Sequence, residues 1–158
     1  MAADRDSSGV TILPPFIYLG GLVVGYLVEW LWPLPIVPAG FALALRVLGV
    51  AAVLAGAGLI ASAAFLFRSL GTDLDPHRPT TVIATAGPYT FTRNPMYLGM
   101  ALILGGLSFV GNALWPLIAV IPVVWWIRTQ VIAKEETYLE AKFGAEYLAL
   151  KTRTRRWL

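Results

Sequence analysis

FALALRVLGVAAVLAGAGLIASAAFLF, residues 41–67, carries one charge, Arg46, in an otherwise apolar run. A helix needs ~20 predominantly apolar residues to cross the hydrocarbon of a bilayer. This stretch exceeds that length and is too continuous to show one polar face, so it reads as a transmembrane helix. Three further stretches extend the reading, at residues 15–32, 96–110 and 113–133. The span at 96–110 is the shortest, and its start falls in the turn Arg93-Asn94-Pro95. Proline suits the first turn of a helix, where its missing N–H would have been unpaired in any case. The expected fold is an all-α integral membrane protein. It has about four transmembrane helices and a C-terminal amphipathic interfacial helix, in a single domain over residues 1–158.

Composition leads to the same class. A chain of 158 residues is at most one ordinary domain. Its hydrophobic fraction is 58% and its charged fraction 13%, whereas a soluble domain carries about a quarter charged residues. The absence of cysteine excludes disulfides, thiolate metal sites and thiol nucleophiles. A single histidine excludes a multi-histidine metal cluster. Residues 1–9 are polar and lack the basic segment and cleavage site of a secretory leader, so the first span is expected to be retained.

The charges are sorted by side. The links at residues 33–40 and 111–112 contain none. Arg5, Arg68, Arg78, Arg93, Lys134, Lys142, Lys151, Arg153, Arg155 and Arg156 all fall on the other side. By the positive-inside rule, both termini and the loop 68–95 face the cytoplasm. The tail 134–158 repeats Leu139, Phe143, Tyr147 and Leu150 every three or four residues, with Glu140, Lys142 and Glu146 between them. That pattern predicts an amphipathic helix at the interface. Its cluster Lys151, Arg153, Arg155 and Arg156 beside Trp157 suits anionic head groups or a simple anchor. Positive charge laid along one membrane face is explained by topology and does not point to nucleic acid.

Polar residues concentrate in two places. Gly87-Pro88-Tyr89-Thr90-Phe91-Thr92-Arg93-Asn94-Pro95-Met96-Tyr97-Leu98-Gly99 sets turn formers, two phenols and an arginine at the mouth of a span. Such backbone is tolerated at depth only where it is buried or lines a cavity. Glu135-Glu136 follow directly on the fourth span; one must face the bundle, to attract a cationic ligand or to pair with Arg93 or Arg128. Between the second and third spans, Asp73, Asp75 and His77 alternate, yet supply no fourth ligand, so a solvated turn is expected there and no metal. Thr80 to Thr85 is β-prone and apolar, suited to lining a pocket or packing on the bundle. On the opposite side Glu29 and Arg46 lie at similar depth and are expected to pair. Gly21 and Gly25, and the run Ala51, Ala52, Ala55, Gly56, Gly58, Ala61, permit close helix contact.

Taken in order, Gly87, Tyr89, Arg93, Pro95, Tyr97 and Gly99, then Glu135 and Glu136, then Phe143, Gly144, Glu146 and Tyr147 resemble the motifs of the isoprenylcysteine carboxyl methyltransferase and phospholipid methyltransferase family of integral membrane enzymes. The resemblance covers roughly residues 81–157. It implies S-adenosylmethionine as cofactor, with S-adenosylhomocysteine as product, held on the cytoplasmic side. By position, it implies cofactor contacts at Thr81, Val82, Ile83, Ala84, Tyr89, Asn94, Pro95, Met96, Tyr97 and Glu135. It implies catalytic roles for Arg93, Asn94, Tyr97 and Glu135. Two positions depart from the family pattern. Asn94 stands where the family has histidine and cannot take a proton. Val131 stands where the isoprenylcysteine enzymes have a substrate-orienting arginine, and Arg128, one turn earlier, is the candidate to replace it.

The function this implies is methyl transfer to an amphiphilic or small apolar acceptor (a carboxylate, amine or thiol) that enters from the bilayer. Two alternatives belong to other classes. One is a nicotinamide-dependent membrane reductase of related fold, for which no Gly-x-Gly-x-x-Gly loop is present. The other is a membrane scaffold or transport subunit without catalysis.

Overall fold

The computed structural model describes residues 9–71 and 80–158. Helix α1, Pro14–Leu31, starts with two prolines where their missing N–H groups leave nothing unpaired. A 3₁₀ turn at Ala39–Phe41 leads into α2, Ala42–Ser69. Another at Gly87–Thr90 precedes α3, Pro95–Gly111, with Pro95 again in the first turn. Helix α4, Leu114–Trp126, passes through a π-helical turn at Ile127–Ile132 into α5, Ala133–Phe143. Helix α6, Ala145–Arg153, follows.

Three rods are long and apolar enough to cross a membrane: Pro14–Leu31, Ala39–Ser69 and Leu114–Phe143. The shorter apolar helix Pro95–Gly111 lies between the second and third in the chain. Large apolar side chains face outward along them, including Trp30, Leu43 and Phe65. A helix apolar on all sides belongs in lipid. The chain is an integral membrane protein with an all-α fold.

The last rod, Leu114–Phe143, runs farther than the expected span at 113–133. Nothing between residues 133 and 143 breaks a helix, so it continues to Phe143 and stops at Gly144, whose φ of +52° only glycine adopts without strain. The periodic residues Leu139, Phe143, Tyr147 and Leu150 are thereby divided between α5 and α6, which Gly144 separates. Residues 134–158 are thus two helices and a terminal strap.

Helix α3 is central, with α2 along one side and α1 and α4 on the other. Glycines set the approach of α2. A Cβ on Gly56 would stand 2.5 Å from the Gly99 carbonyl oxygen, and one on Gly99 2.7 Å from that of Gly56. Gly49 and Gly106 repeat the relation two turns away, at 2.6 and 2.7 Å. Backbones so close gain dispersion contacts that lipid tails cannot supply. Gly21 and Gly25 serve α1 in the same way, against Val123 and Pro116 of α4. That glycine pair is used inside the chain. Of the small-residue run on α2, Gly56 meets α3, while Ala51, Ala55, Gly58 and Ala61 stay exposed.

The uncharged links close one end of the bundle. Asn112 ends α3 in the left-handed region (φ 50°). Its Oδ1 accepts from Val37 N at 3.0 Å, and its Nδ2 donates to Val37 O at 2.9 Å. The expected Glu29–Arg46 pair does not form. Glu29 instead accepts from the backbone N–H of Leu34 at 2.6 Å and of Trp115 at 3.3 Å. Links with unpaired N–H groups compete for the carboxylate and hold it more rigidly than a flexible arginine would.

Candidate active site

At the opposite end lies a cavity of about 130 Å³. Its walls come from the end of α2 (Phe67), from residues 80–84, from Tyr89, from the turn and first residues of α3 (Arg93 to Tyr97), from α5 (Glu135, Glu136, Tyr138, Leu139) and from α6 (Tyr147, Leu150). Residues 80–90 are carried across the end of α2 by packing of Ala84 and Tyr89 on Ala63, Leu66 and Phe67. The Tyr89 and Phe67 rings pack at a tilt of 37°, with centroids 5.5 Å apart. Thr80 N donates to the Tyr138 hydroxyl at 3.4 Å, joining this segment to α5.

The two glutamates reach the interior because of the π turn. Along α4 the buried positions are Pro116, Val123 and Ile127. Continued at α-helical spacing, that stripe would bring Lys134 inward. The π turn holds an extra residue, which rotates the following face by about 100°. Both Val131 and Ile132 are buried across this turn, the next buried position is Glu136, and Lys134 is exposed.

Glu135 and Glu136 have different surroundings. Glu136, 6% exposed, is held by two arginines. Arg93 Nη2 donates to its Oε1 at 3.2 Å, and Arg156 Nε to the same oxygen at 3.0 Å, with Arg156 Nη2 on Oε2. Glu135, which lines the cavity, accepts from the Tyr97 hydroxyl at 2.6 Å. Among the described residues no cation lies within ion-pairing distance of it. A carboxylate shielded from water is costly unless a charge or several donors compensate it, and one neutral phenol is a weak compensation.

Tyr97 is fixed from behind by Tyr18 of α1, whose hydroxyl donates to the Tyr97 carbonyl at 2.9 Å. Arg93 is almost entirely enclosed. Its Nη1 donates to the carbonyls of Lys151 (3.3 Å) and Thr154, and its Nε has no partner among the described residues. The Asn94 amide nitrogen donates to the Arg156 carbonyl at 2.9 Å, and Thr92 Oγ1 to the same oxygen at 3.2 Å. The Arg93 N–H donates to Arg155 O at 2.9 Å, within a short parallel bridge between Thr92 and Arg155. The turn before α3 and the end of the chain thus form one layer.

Burial pushes the Tyr89 phenol well above its ordinary pKa, and Glu135 adds to the effect. Burial does the same for Tyr147, with Glu136 adding. The hydrogen bond to Glu136 raises Arg156 further. All three keep their ordinary charge state through the physiological range.

Of the residues singled out in the sequence, the structure brings Val82, Ile83, Ala84, Tyr89, Arg93, Asn94, Pro95, Met96, Tyr97 and Glu135 to one cavity. Thr81 is exposed and its neighbour Thr80 lines the wall instead. Arg128 is exposed on the π turn, away from the cavity, and Val131 is buried in the core with Tyr18 and Leu104. Asp73, Asp75, His77 and Arg78 lie outside the described residues. Phe67, Tyr138, Leu139 and Leu150 line the cavity without any sequence signal beyond their place in apolar or amphipathic helices. The pairing of Arg156 with Glu136 has none either, because Arg156 stands among other basic residues.

Residues 44–146 match the family described as phospholipid methyltransferase, a stretch reaching from α2 into α6. The chain belongs to the phospholipid methyltransferase family. Membership in it supports a membrane methyltransferase in general terms. An uncharacterized protein of Haemophilus influenzae is 48% identical over 65 residues, 40% of this chain and 100% of that protein. No solved structure matches the chain.

Proposed function

We propose that this member of the family transfers a methyl group from S-adenosylmethionine to an amphiphilic or small apolar acceptor at the cytoplasmic membrane face. The observation that carries the reading is the inequality of the two glutamates. Glu136 absorbs both arginines of the site, so Glu135 is left as an uncompensated carboxylate in a sheltered cavity. Such a cavity favours a cation, and its attraction grows as water is excluded. S-adenosylmethionine, carrying a sulfonium and an ammonium, would supply an electrophilic methyl on a sulfur that departs neutral.

The donor set fits that group. Glu135 would hold a positive centre, and Tyr97 would fix the carboxylate toward it. Phe67, Val82, Ile83 and Met96 offer apolar walls that exclude water. Tyr89 and Tyr147, kept protonated by burial, remain hydrogen-bond donors. Asn94 cannot take a proton, and its amide nitrogen is engaged with Arg156 O. Its part is to position the strap, and methyl transfer then relies chiefly on alignment of donor and acceptor. Arg93 likewise positions Glu136 and the strap. A nicotinamide reductase would need cations free for phosphates, and Arg93, the arginine that lines this cavity among the described residues, is bound to Glu136. The whole chain is taken as one domain built around this site.

Purified protein in lipid nanodiscs, given methyl-tritiated S-adenosylmethionine and a total lipid extract, should transfer label into the organic phase. Glu135→Gln should lose at least about 90% of that transfer, equivalent to about 1.4 kcal/mol of transition-state binding. Equal transfer by the variant would remove Glu135 from the mechanism.

A further inference from the structure

The strap at residues 154–156 alternates between two environments. Thr154 is buried and its carbonyl accepts from Arg93. Arg155 turns its side chain outward while its carbonyl accepts from the Arg93 N–H. Arg156 turns inward to Glu136. The preceding outward residue, Arg153, is exposed as well. The basic cluster at the end of the chain is therefore sorted. Lys151 is spent on Glu140 and Arg156 on Glu136, while Arg153 and Arg155 make no ion pair among the described residues.

Their surroundings are those of a bilayer surface. Trp157 is half-buried against the core, an aromatic placement common at the headgroup level. Leu148 and Leu158 expose apolar side chains next to them, at 52% and 71%. Arg68, Arg128 and Lys134 are exposed at this same end of the bundle, and the nearest exposed acid on α6 is Glu146.

We propose that Arg153 and Arg155 bind anionic lipid headgroups, and that this contact holds the strap closed over the turn 92–94 that walls the cavity. The backbone carrying the outward arginines is the backbone that accepts from Arg93 N, Arg93 Nη1 and Asn94 Nδ2. Headgroup attraction, about 1 kcal/mol per arginine, adds to the bonds from residues 92–94 and to the Arg156–Glu136 pair that already fasten the strap. Lipid charge is thereby coupled to the order of the site. The effect on ligand affinity rests on the methyl-donor reading of the cavity; the effect on strap order does not.

The test is hydrogen exchange at the Arg93 and Thr154 amides, which donate to Arg155 O and Leu150 O. It is measured in nanodiscs of phosphatidylcholine alone and in discs with roughly one-third phosphatidylglycerol, with S-adenosylhomocysteine titrated in parallel. The anionic discs should slow exchange at both amides by about tenfold and tighten S-adenosylhomocysteine binding. In the double variant Arg153→Gln/Arg155→Gln the two lipids should give equal exchange, at the rate the unmodified protein shows in phosphatidylcholine.

Equal exchange of the unmodified protein in both lipids would overturn the proposal. So would a surviving lipid effect in the double variant, or faster exchange of that variant in phosphatidylcholine, which would make the arginines structural. Equal protection by millimolar inorganic phosphate in phosphatidylcholine discs would assign the site to a soluble anion and overturn the lipid assignment. Lipid-dependent exchange without any S-adenosylhomocysteine binding would leave the latch standing and remove the methyl-donor reading.

Discussion

Glu135 and Glu136 are adjacent in the chain yet chemically unlike, the first facing the cavity with a phenol and the second held by two arginines. Glu136→Ala leaves Arg93 enclosed without its counter-charge. The expected cost is about 3 kcal/mol, at the lower end for a broken buried pair because Arg156 is a third exposed. The readout is thermal unfolding in detergent, where a fall of several degrees is expected. Glu135→Gln removes charge and keeps shape, so its unfolding free energy should stay within about 1 kcal/mol of the unmodified protein or rise. A variant pair with the opposite ranking would contradict this division of labour. Tyr97→Phe should weaken ligand binding by less than Glu135→Gln, since it removes the bond that orients the Glu135 carboxylate and leaves the charge in place.

At the scale of elements, the helices are held by backbone proximity. Gly56→Val would drive a methyl into the Gly99 carbonyl, 2.5 Å from the glycine's ideal Cβ. It should separate α2 from α3 and abolish folding, whereas Gly58→Val, with nothing within 4 Å, should lie within about 0.5 kcal/mol of the unmodified protein. Equal melting curves for the two would mean that the α2–α3 contact is looser than described. Gly144→Ala, forced to hold a φ of +52°, should cost about 1–3 kcal/mol and loosen α6. These elements differ in how far the sequence announces them. The apolar runs, Pro95 at the head of α3 and the charged mouth of the bundle are legible because length, periodicity and turn chemistry are local. The π turn is not, since it depends on how α4 packs against α1 and α3. Nor is the choice of Gly49 over Ala51 for the α3 contact, which depends on helix rotation. At the site, the grouping of residues 82–84, Tyr89, Arg93 to Tyr97 and Glu135 follows from motif order. The Glu136 clamp and the exposure of Arg128 are long-range outcomes that residue type alone leaves open.

For the whole molecule, the two ends of the bundle are chemically opposite. One is closed by uncharged links tied through Asn112 and Glu29. The other carries the cavity, the strap and the exposed cations. The proposed orientation places the second end in the cytoplasm. Because the chain has no cysteine, single substitutions report it cleanly. In intact cells, a membrane-impermeant maleimide should label Ala39→Cys, which is exposed in the first link, and leave Ala145→Cys, exposed at the start of α6, unlabelled until the cells are opened. The reverse pattern would invert the protein and put the cavity on the wrong side for a cytosolic methyl donor.

The central claim is that the uncompensated Glu135 carboxylate makes this cavity a site for S-adenosylmethionine. Its most direct test is calorimetric titration of S-adenosylmethionine and S-adenosylhomocysteine into the nanodisc-embedded protein and its Glu135→Gln variant. The expected result is saturable binding of both by the unmodified protein, and a loss of at least about tenfold in the variant, or about 1.4 kcal/mol. A larger loss for the sulfonium ligand would place Glu135 at the sulfur, and an equal loss at the ammonium. Absence of binding to the folded, unmodified protein, or equal affinity in the variant, would contradict the claim.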